Sequence, residues 1–424
     1  MALADIYQKA TLVQIPSGYK AADAELYSVV PNTTAGDFTV SVAAGATRVN
    51  KDGLVESVAA NQARLDYNPT NPQDPTLLLE PERQNIYTYS QDLNQGTTLT
   101  NTSVDNDNTT SPDGSLTGNK LTQTSGAFTR KNLGVVLSGT QAWSFFAKKG
   151  DLRYLNARSL FVLNGSTPAN GNTIIDLNTN TIAYKGTNVT SASIEQYPND
   201  WIKVEIVATD NATGSGDFVD FFFTDSDTST QSTGVAGNGF IWGVQFESGS
   251  YGTSYIPNLS SVRNTRTVDT CSLPNFSNIP SDYPLTVYWK GEVKEFNGTN
   301  SAFSILKDGE AGVFLVVSFN TSSQVLVRRA DGSGEEVDFI SFSYSIGDVL
   351  KIGIKFTSAT TFKLFINGAL AHNETSGISK TWLFNSVLIG QYRIVADAGP
   401  RNPCNELMLF NEALTDAELI TLTS

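Results

Sequence analysis

The apolar positions of this chain fall in short runs with a period of two, separated by polar turns. Trp143-Ser144-Phe145-Phe146-Ala147 and Ile202-Lys203-Val204-Glu205-Ile206-Val207 alternate, which predicts strands with one face on a core and one in water. Phe218–Phe223 is apolar on both faces around Asp220, as suits a strand in mid-sheet. Thr173–Ile175 and Ile182–Tyr184 flank a tight polar turn and predict a hairpin. Asn367-Gly368, between Phe362–Ile366 and Ala369–His372, is a stronger hairpin signal because both turn positions tolerate positive φ. Near the end, Thr415 and Glu418 stand three apart as a capping box and predict a short terminal helix.

The spacing of these runs divides the chain. Residues 1–45 hold β-like runs at Thr11–Ile15, Leu26–Val30 and Phe38–Val42, with too little apolar content for a core of their own. They read either as an attachment tip completed by other chains or as a small sheet packed on its neighbour. Residues 46–93 read as an extended connector, because turn-forming pieces at Lys51-Asp52-Gly53, Asn68–Pro72 and Asp74-Pro75 interrupt every apolar run. Residues 94–258 form a first sandwich with a polar loop at 101–114. Residues 259–271, with Arg263 and Arg266, read as a linker. Residues 272–424, opening at Thr286–Trp289, form a second sandwich. The expected fold class is all-β: an N-terminal attachment segment followed by two tandem jelly-roll β-sandwiches.

Composition adds exclusions. Hydrophobic residues make up 40% and charged ones 17%, with 23 Phe and 15 Tyr, a balance that favours sandwiches over helical bundles. A net charge of −14 without a basic cluster argues against nucleic acid as a partner. No apolar window is long enough to cross a membrane, and the polar start MALADIYQKATLVQ gives no expectation of a secretory signal. The cysteines Cys271 and Cys404 are too few for a disulfide framework, although they could pair if their strands are neighbours.

Candidate chemistry is sparse. Glu335-Glu336-Val337-Asp338 follows Gly332-Ser333-Gly334 and reads as a solvated loop, not the carboxylate-bearing strand that a glycosidase needs. His372 is the single histidine and lies at the end of a hairpin strand, where a surface role is expected. No catalytic residue, metal ligand or cofactor is assigned. Calcium is possible at Asp105-Asn106-Asp107-Asn108 or Asp225-Ser226-Asp227, though both lack the glycine and distal glutamate of an EF-hand loop. Trp201 and Trp242 sit inside alternating strands and are expected in the core.

A family resemblance accompanies these patterns. Ala46-Thr47-Arg48-Val49-Asn50, Gly53-Leu54, Arg64, Asp66-Tyr67, the apolar triplet with Glu80, and Asn85 to Leu93 resemble, in that order, a segment of many tailed-phage virion proteins. One departure is Gln84-Asn85, where that family usually has Thr-Asn. WSFFAKKG, PNDWIKVEI and Gly239–Glu247 are similar to the carbohydrate-binding-module-like sandwich that follows this segment, and Arg266 with Asp269 resembles the element trailing it. KLFINGALA and NELMLFNEALTDAEL resemble a concanavalin-A-like, laminin-G-type domain.

The resemblance implies a tail-fibre or receptor-binding subunit that recognises host-surface glycan without catalysis. Other virion proteins would bind through the N-terminal segment, a homotrimer is the family habit, and the virion, assembled in the host cytoplasm, is the location. A head-fibre or capsid-decoration protein is the alternative, with a polysaccharide depolymerase behind it. A ligand surface is expected on rim loops of the last sandwich, at Trp382, Tyr392, Arg393 and Asn402, although Trp382 could equally pack in the core.

Overall fold

The computed structural model describes residues 2–16, 38–135, 137–162, 168–210, 217–274, 283–294, 300–307, 310–320, 323–375, 377, 379, 382, 384–391 and 402–424. Among them the chain is all-β apart from short helical turns, Leu3–Tyr7 and the terminal helix Asp416–Thr423. The alternating runs become strands as expected. The Asn367-Gly368 hairpin forms with both residues at positive φ (48° and 81°). The capping box also forms: the Glu418 amide donates to Thr415 Oγ1 at 3.2 Å and the Thr415 amide to Glu418 Oε2 at 2.7 Å.

The middle sandwich is built on the 15-residue strand Gly118–Asn132. Its first part pairs with Gly237–Ile241 and its last part with Phe218–Phe221, so one strand passes between the two layers. One layer continues through Thr140–Lys149, Trp201–Thr209 and Val189–Gln196, the other through Tyr154–Ser159, Asn172–Asp176 and Thr181–Lys185. Trp143, Phe145 and Phe221 meet between them with ring centroids 4.8–5.3 Å apart. The expected polar loop at 101–114 is largely a strand, Thr97–Thr109, paired with Gly118–Asn132. Its outward face is polar and carries no apolar alternation, so backbone pairing defines it.

The other sandwich holds an eight-stranded and a seven-stranded sheet among the described residues. The chain's route through them departs from the expected tandem order. Leu12–Gln14 pairs with Cys404–Phe410, Leu12 opposite Leu409. Leu65–Asp66 and Thr76–Leu77 extend the same sheet, with Leu77 opposite Cys404. Thr39–Ser41 joins the second sheet beside Thr270–Leu273. The N-terminal residues and the connector therefore complete the C-terminal sandwich, and residues 94–258 are an insertion between its two parts. The physical reason is the deficit noted above: Ile6, Leu12, Phe38, Val40 and Val42 cannot make a core alone, and they are buried among Val287, Leu407, Phe410 and Leu422. The expected strand at Leu26–Val30 lies outside the described residues.

Two other expectations change. The 259–271 linker is partly strand: Asn264–Arg266 pairs with Arg83–Asn85, and Thr270 begins the next strand. Glu335–Asp338 opens the edge strand Glu335–Ser341, with no loop there, because Gln324–Asp331 supplies its hydrogen-bonding partner. Cys271 and Cys404 are buried free thiols, on different sheets. The terminal helix lies on the eight-stranded sheet over Gly353, where a Cβ would come within 2.7 Å of Leu419, so a bare glycine lets it approach.

Removing residues 1–45 should therefore damage the C-terminal sandwich. Each large apolar side chain lost from the core costs about 1.5–3 kcal/mol, and several such losses approach a domain's whole stability. The truncated chain is expected to aggregate or to melt well below the full chain in calorimetry. A truncation that melts at the parent temperature and elutes as a compact species would contradict the pairing.

Candidate functional site

Residues 46–93 do not hang between the sandwiches; they are packed into the seam that joins them. Arg64 and Asp269 are fully buried and Glu80 and Arg266 nearly so. Arg64 Nη1 lies 2.7 Å from Glu80 Oε2, and Arg266 Nη1 lies 2.9 Å from the same oxygen. Arg64 Nη2 donates to Asp269 Oδ2, which also accepts the Glu80 amide at 2.9 Å. Ser254, from the middle sandwich, donates its amide and its hydroxyl to Glu80, each at 2.7 Å. Arg64 also donates to the Thr47 carbonyl at 2.8 Å, and Arg266 to the Pro81 carbonyl at 3.0 Å.

Two guanidiniums and two carboxylates make the cluster neutral, which is what permits such burial. Burial opposes the Glu80 charge, but Arg266 and Arg64 outweigh it and hold the carboxyl well below its usual range. At Asp269 burial wins over the attraction of Arg64, and its pKa is raised.

Two uncharged residues of the same segment extend the seam. Asn85 is fully buried and donates to the carbonyls of Ile256 (2.9 Å) and Val244 (3.3 Å). Its oxygen accepts the amides of Tyr87 and Phe246 at 3.0 and 3.1 Å. Ser90 Oγ lies 2.6 Å from the Tyr255 hydroxyl and accepts the Asn258 amide at 2.9 Å. The departure from the family pattern falls on exposed Gln84, which bonds only Thr265, so the buried work of Asn85 is untouched.

Beside the cluster is a cleft of about 150 Å³, with Arg48, Asp66, Glu195, Lys203 and Lys294 in its lining. Space of that size takes about five waters, or one small polar group. Asp66 Oδ1 accepts the Val49 amide at 2.7 Å. Burial, with Glu80 and Glu195 nearby, nevertheless pushes the Asp66 carboxyl up to about 6. Burial opposes the Lys294 charge, but Glu292 at 2.7 Å, with Glu205 and Asp66 beyond it, outweighs that and raises its pKa. Phe146, Tyr197 and Tyr255 also line the cleft but are buried among Trp201 and Trp242, so they offer no open face for stacking a sugar ring. The cleft can hold water or a polar group of either charge.

Of the sequence-predicted ligand residues, the two described ones, Trp382 and Asn402, are buried. Trp382 is fully buried, 4.8 Å from Phe384 and 5.0 Å from Phe356 between ring centroids, and this corrects its placement on the rim. Its ring is worth more in the core than in solvent. Asn402 is fully buried as well: it donates to Asn300 Oδ1 and the Ser301 carbonyl and accepts the Lys294 amide at 3.2 Å. Its amide pins the strand ends together and is not free for ligand. Tyr392 and Arg393 lie outside the described residues. Trp201 and Trp242 are core residues, as expected, with indole nitrogens donating to the Thr110 carbonyl and Thr117 Oγ1. In the Asp105–Asn108 run considered for calcium, the Asn106 side-chain amide donates to Asp92 and that of Asn108 to Asp105.

Residue-by-residue reading missed Arg64, Glu80, Arg266 and Asp269 as a unit. The available signal was a lone charge placed directly after Leu77-Leu78-Leu79 and before Pro81, an arrangement unsuited to a solvated loop.

Comparison with known proteins finds distant structural similarities. No family model matches the chain, and no curated protein does. Among solved structures it is similar to the CBM40 module of the Ruminococcus gnavus IT-sialidase bound to α2,3-sialyllactose, at 15% identity over 34% of this chain and 85% of that one, TM-score 0.31. Domain 4 of AbnA, an arabinanase from Geobacillus stearothermophilus in complex with arabinotriose, matches at 14% identity over 37% and 73%, TM-score 0.30. The NanB sialidase from Streptococcus pneumoniae matches at 17% identity over 36% and 26%, TM-score 0.29. Similarities of this size carry no argument.

Glu80→Ala leaves Arg64 and Arg266 facing each other in a buried site, and it should cost about 3–5 kcal/mol in urea denaturation. A loss below about 1 kcal/mol would mean that the cluster is not a lock. Asp66 has the opposite sense. With its folded pKa raised to about 6, its contribution is fully present below the unfolded value of 3.8 and is lost as pH rises through 6. Asp66→Asn, which keeps an acceptor for the Val49 amide, should raise the melting temperature at neutral pH and flatten its change between about pH 4 and 6. An unaltered pH profile would refute the assignment.

Proposed function

We propose that the chain is a structural subunit of a tailed-bacteriophage particle, a tail-fibre or receptor-binding component whose sandwiches recognise host-surface glycan without catalysis. The observation that carries this reading is the seam. Arg64, Glu80, Asn85 and Ser90 come from the phage-like segment, Arg266 and Asp269 from the element that resembles its trailing part, and all of them are buried in one junction. Their meeting in one junction supports reading the segment as a structural unit: a coupler that sets two sandwiches at a fixed angle, as an adhesive arm requires.

Attachment to other virion proteins and assembly as a trimer belong to the same reading. Among the described residues of the N-terminal segment, Leu12–Gln14 and Thr39–Ser41 are part of a sandwich, so contacts to other virion proteins would be made from that folded surface. A single glycan site of this kind binds near millimolar, roughly −4 kcal/mol, and a trimer on a particle gains the rest through multivalency.

One observation favours the second reading, a head fibre or capsid decoration: Trp382 and Asn402, expected at a glycan surface, are both core residues. Gold-labelled antibody against residues 272–424, applied to purified particles, separates the two. Label on tail fibres, with saturable binding of the full chain on a glycan array, is the expected result. Label over the head selects the decoration reading, and particles without label overturn both.

A further inference from the structure

One edge of the C-terminal sandwich breaks the inside–outside pattern. Its two sheets end there in Glu335–Ser341 and Ala369–Glu374. On the first, Asp338 stands opposite Val327 and Glu336 opposite Arg329. Val327 belongs to the core, so Asp338 and Glu336 project inward with it. On the second, His372 stands opposite Leu364 and Glu374 opposite Phe362, both core residues, so these side chains also project inward. Five ionisable groups therefore meet where the alternation calls for apolar ones.

Three of them converge. Asp338, His372 and Glu374 each place one ligand-type atom within 4.8 Å of the others. His372 Nε2 lies 3.9 Å from Glu374 Oε2, too far for a hydrogen bond, and it is buried without a hydrogen-bond partner. Ligand atoms about 2.1 Å from a tetrahedral ion stand roughly 3.4 Å apart, so the spacing suits a shared ion better than a direct bond. Glu336, Asp338 and Glu374 against Arg329 leave two net negative charges beside the imidazole, the charge that a divalent ion cancels. Arg329, fully buried, lies 3.0 Å from Asp338 Oδ2 and 2.5 Å from Glu336 Oε2, and so fixes how the Asp338 carboxylate is turned.

We propose that Asp338, His372 and Glu374 form a divalent transition-metal site that ties together the edge strands of the two sheets. One imidazole nitrogen with two carboxylates suits zinc, whereas calcium would take oxygen alone. Inward charges can also serve only to keep a sheet edge from pairing with another chain. That role accounts for the acids. It does not call for an imidazole nitrogen without a partner, placed between acids from two different sheets.

The test uses the full chain, stripped with a chelator and titrated with Zn²⁺ alone by calorimetry in a non-coordinating buffer. A single saturable site is expected, with a rise in melting temperature of roughly 5 °C at saturation. His372→Ala should abolish it, Glu374→Gln should weaken it at least tenfold, and Ca²⁺ should not compete. If His372→Ala does not fold by circular dichroism, Glu374→Gln, which keeps shape and hydrogen bonding, decides alone. Absence of saturable binding, or equal affinity in the folded variants, overturns the proposal and leaves edge protection as the role of these groups.

Discussion

Everything in this molecule depends on one neutral knot of charge. Arg64, Glu80, Arg266 and Asp269 are removed from water, and each has a counter-charge within hydrogen-bonding range. Water no longer screens these charges, so a missing partner would be punished far more than the intact set is rewarded. The knot therefore gives uniqueness more than stability. It accepts one mutual placement of the segment, the middle sandwich and the returning chain, because any slip leaves a buried ion alone.

That constraint explains how an inserted domain can be held rigidly. Residues 94–258 leave and re-enter the other sandwich at neighbouring points, Arg83–Asn85 pairing with Asn264–Arg266. Two strand crossings alone would act as a hinge. Ser254 binding to Glu80, and Asn85 binding to Val244 and Ile256, add contacts off that axis and resist rotation. The middle sandwich is thereby fixed by polar bonds whose geometry is directional, where a purely apolar seam could slide.

Much of this was legible in the residues. Period-two runs such as Ile202–Val207 and the Asn367-Gly368 turn report local geometry, and local geometry is what a sequence states most directly. Thr97–Thr109 was not legible, since a polar strand at a sheet edge looks like a loop until its partner is known. The run at Thr11–Ile15 reads as β and Leu12–Gln14 is a strand, but its partner was hidden for a related reason: a short apolar run does not announce a partner on the opposite end of the chain. Trp382 shows the limit for site prediction. Loop-like neighbours such as Ser379 and Lys380 suggested exposure, yet its ring sits against Phe356 and Phe384 in the interior. Sequence context describes the backbone near a residue, and burial is decided by what packs over it.

The pairing of the two ends of the chain also sets an order of events in synthesis. Gln14 and Cys404, in contact through their side chains, are 390 residues apart. At about 5–20 residues per second, the first strand waits roughly 20–80 s for its partner to leave the ribosome. The inserted sandwich, whose described strands, Thr97 to Ser248, pair with one another, can fold during that interval. The enclosing one cannot, and its early strands stay open to pairing with a neighbouring chain, so assembly with identical copies on a polysome competes with closure until the last strand arrives.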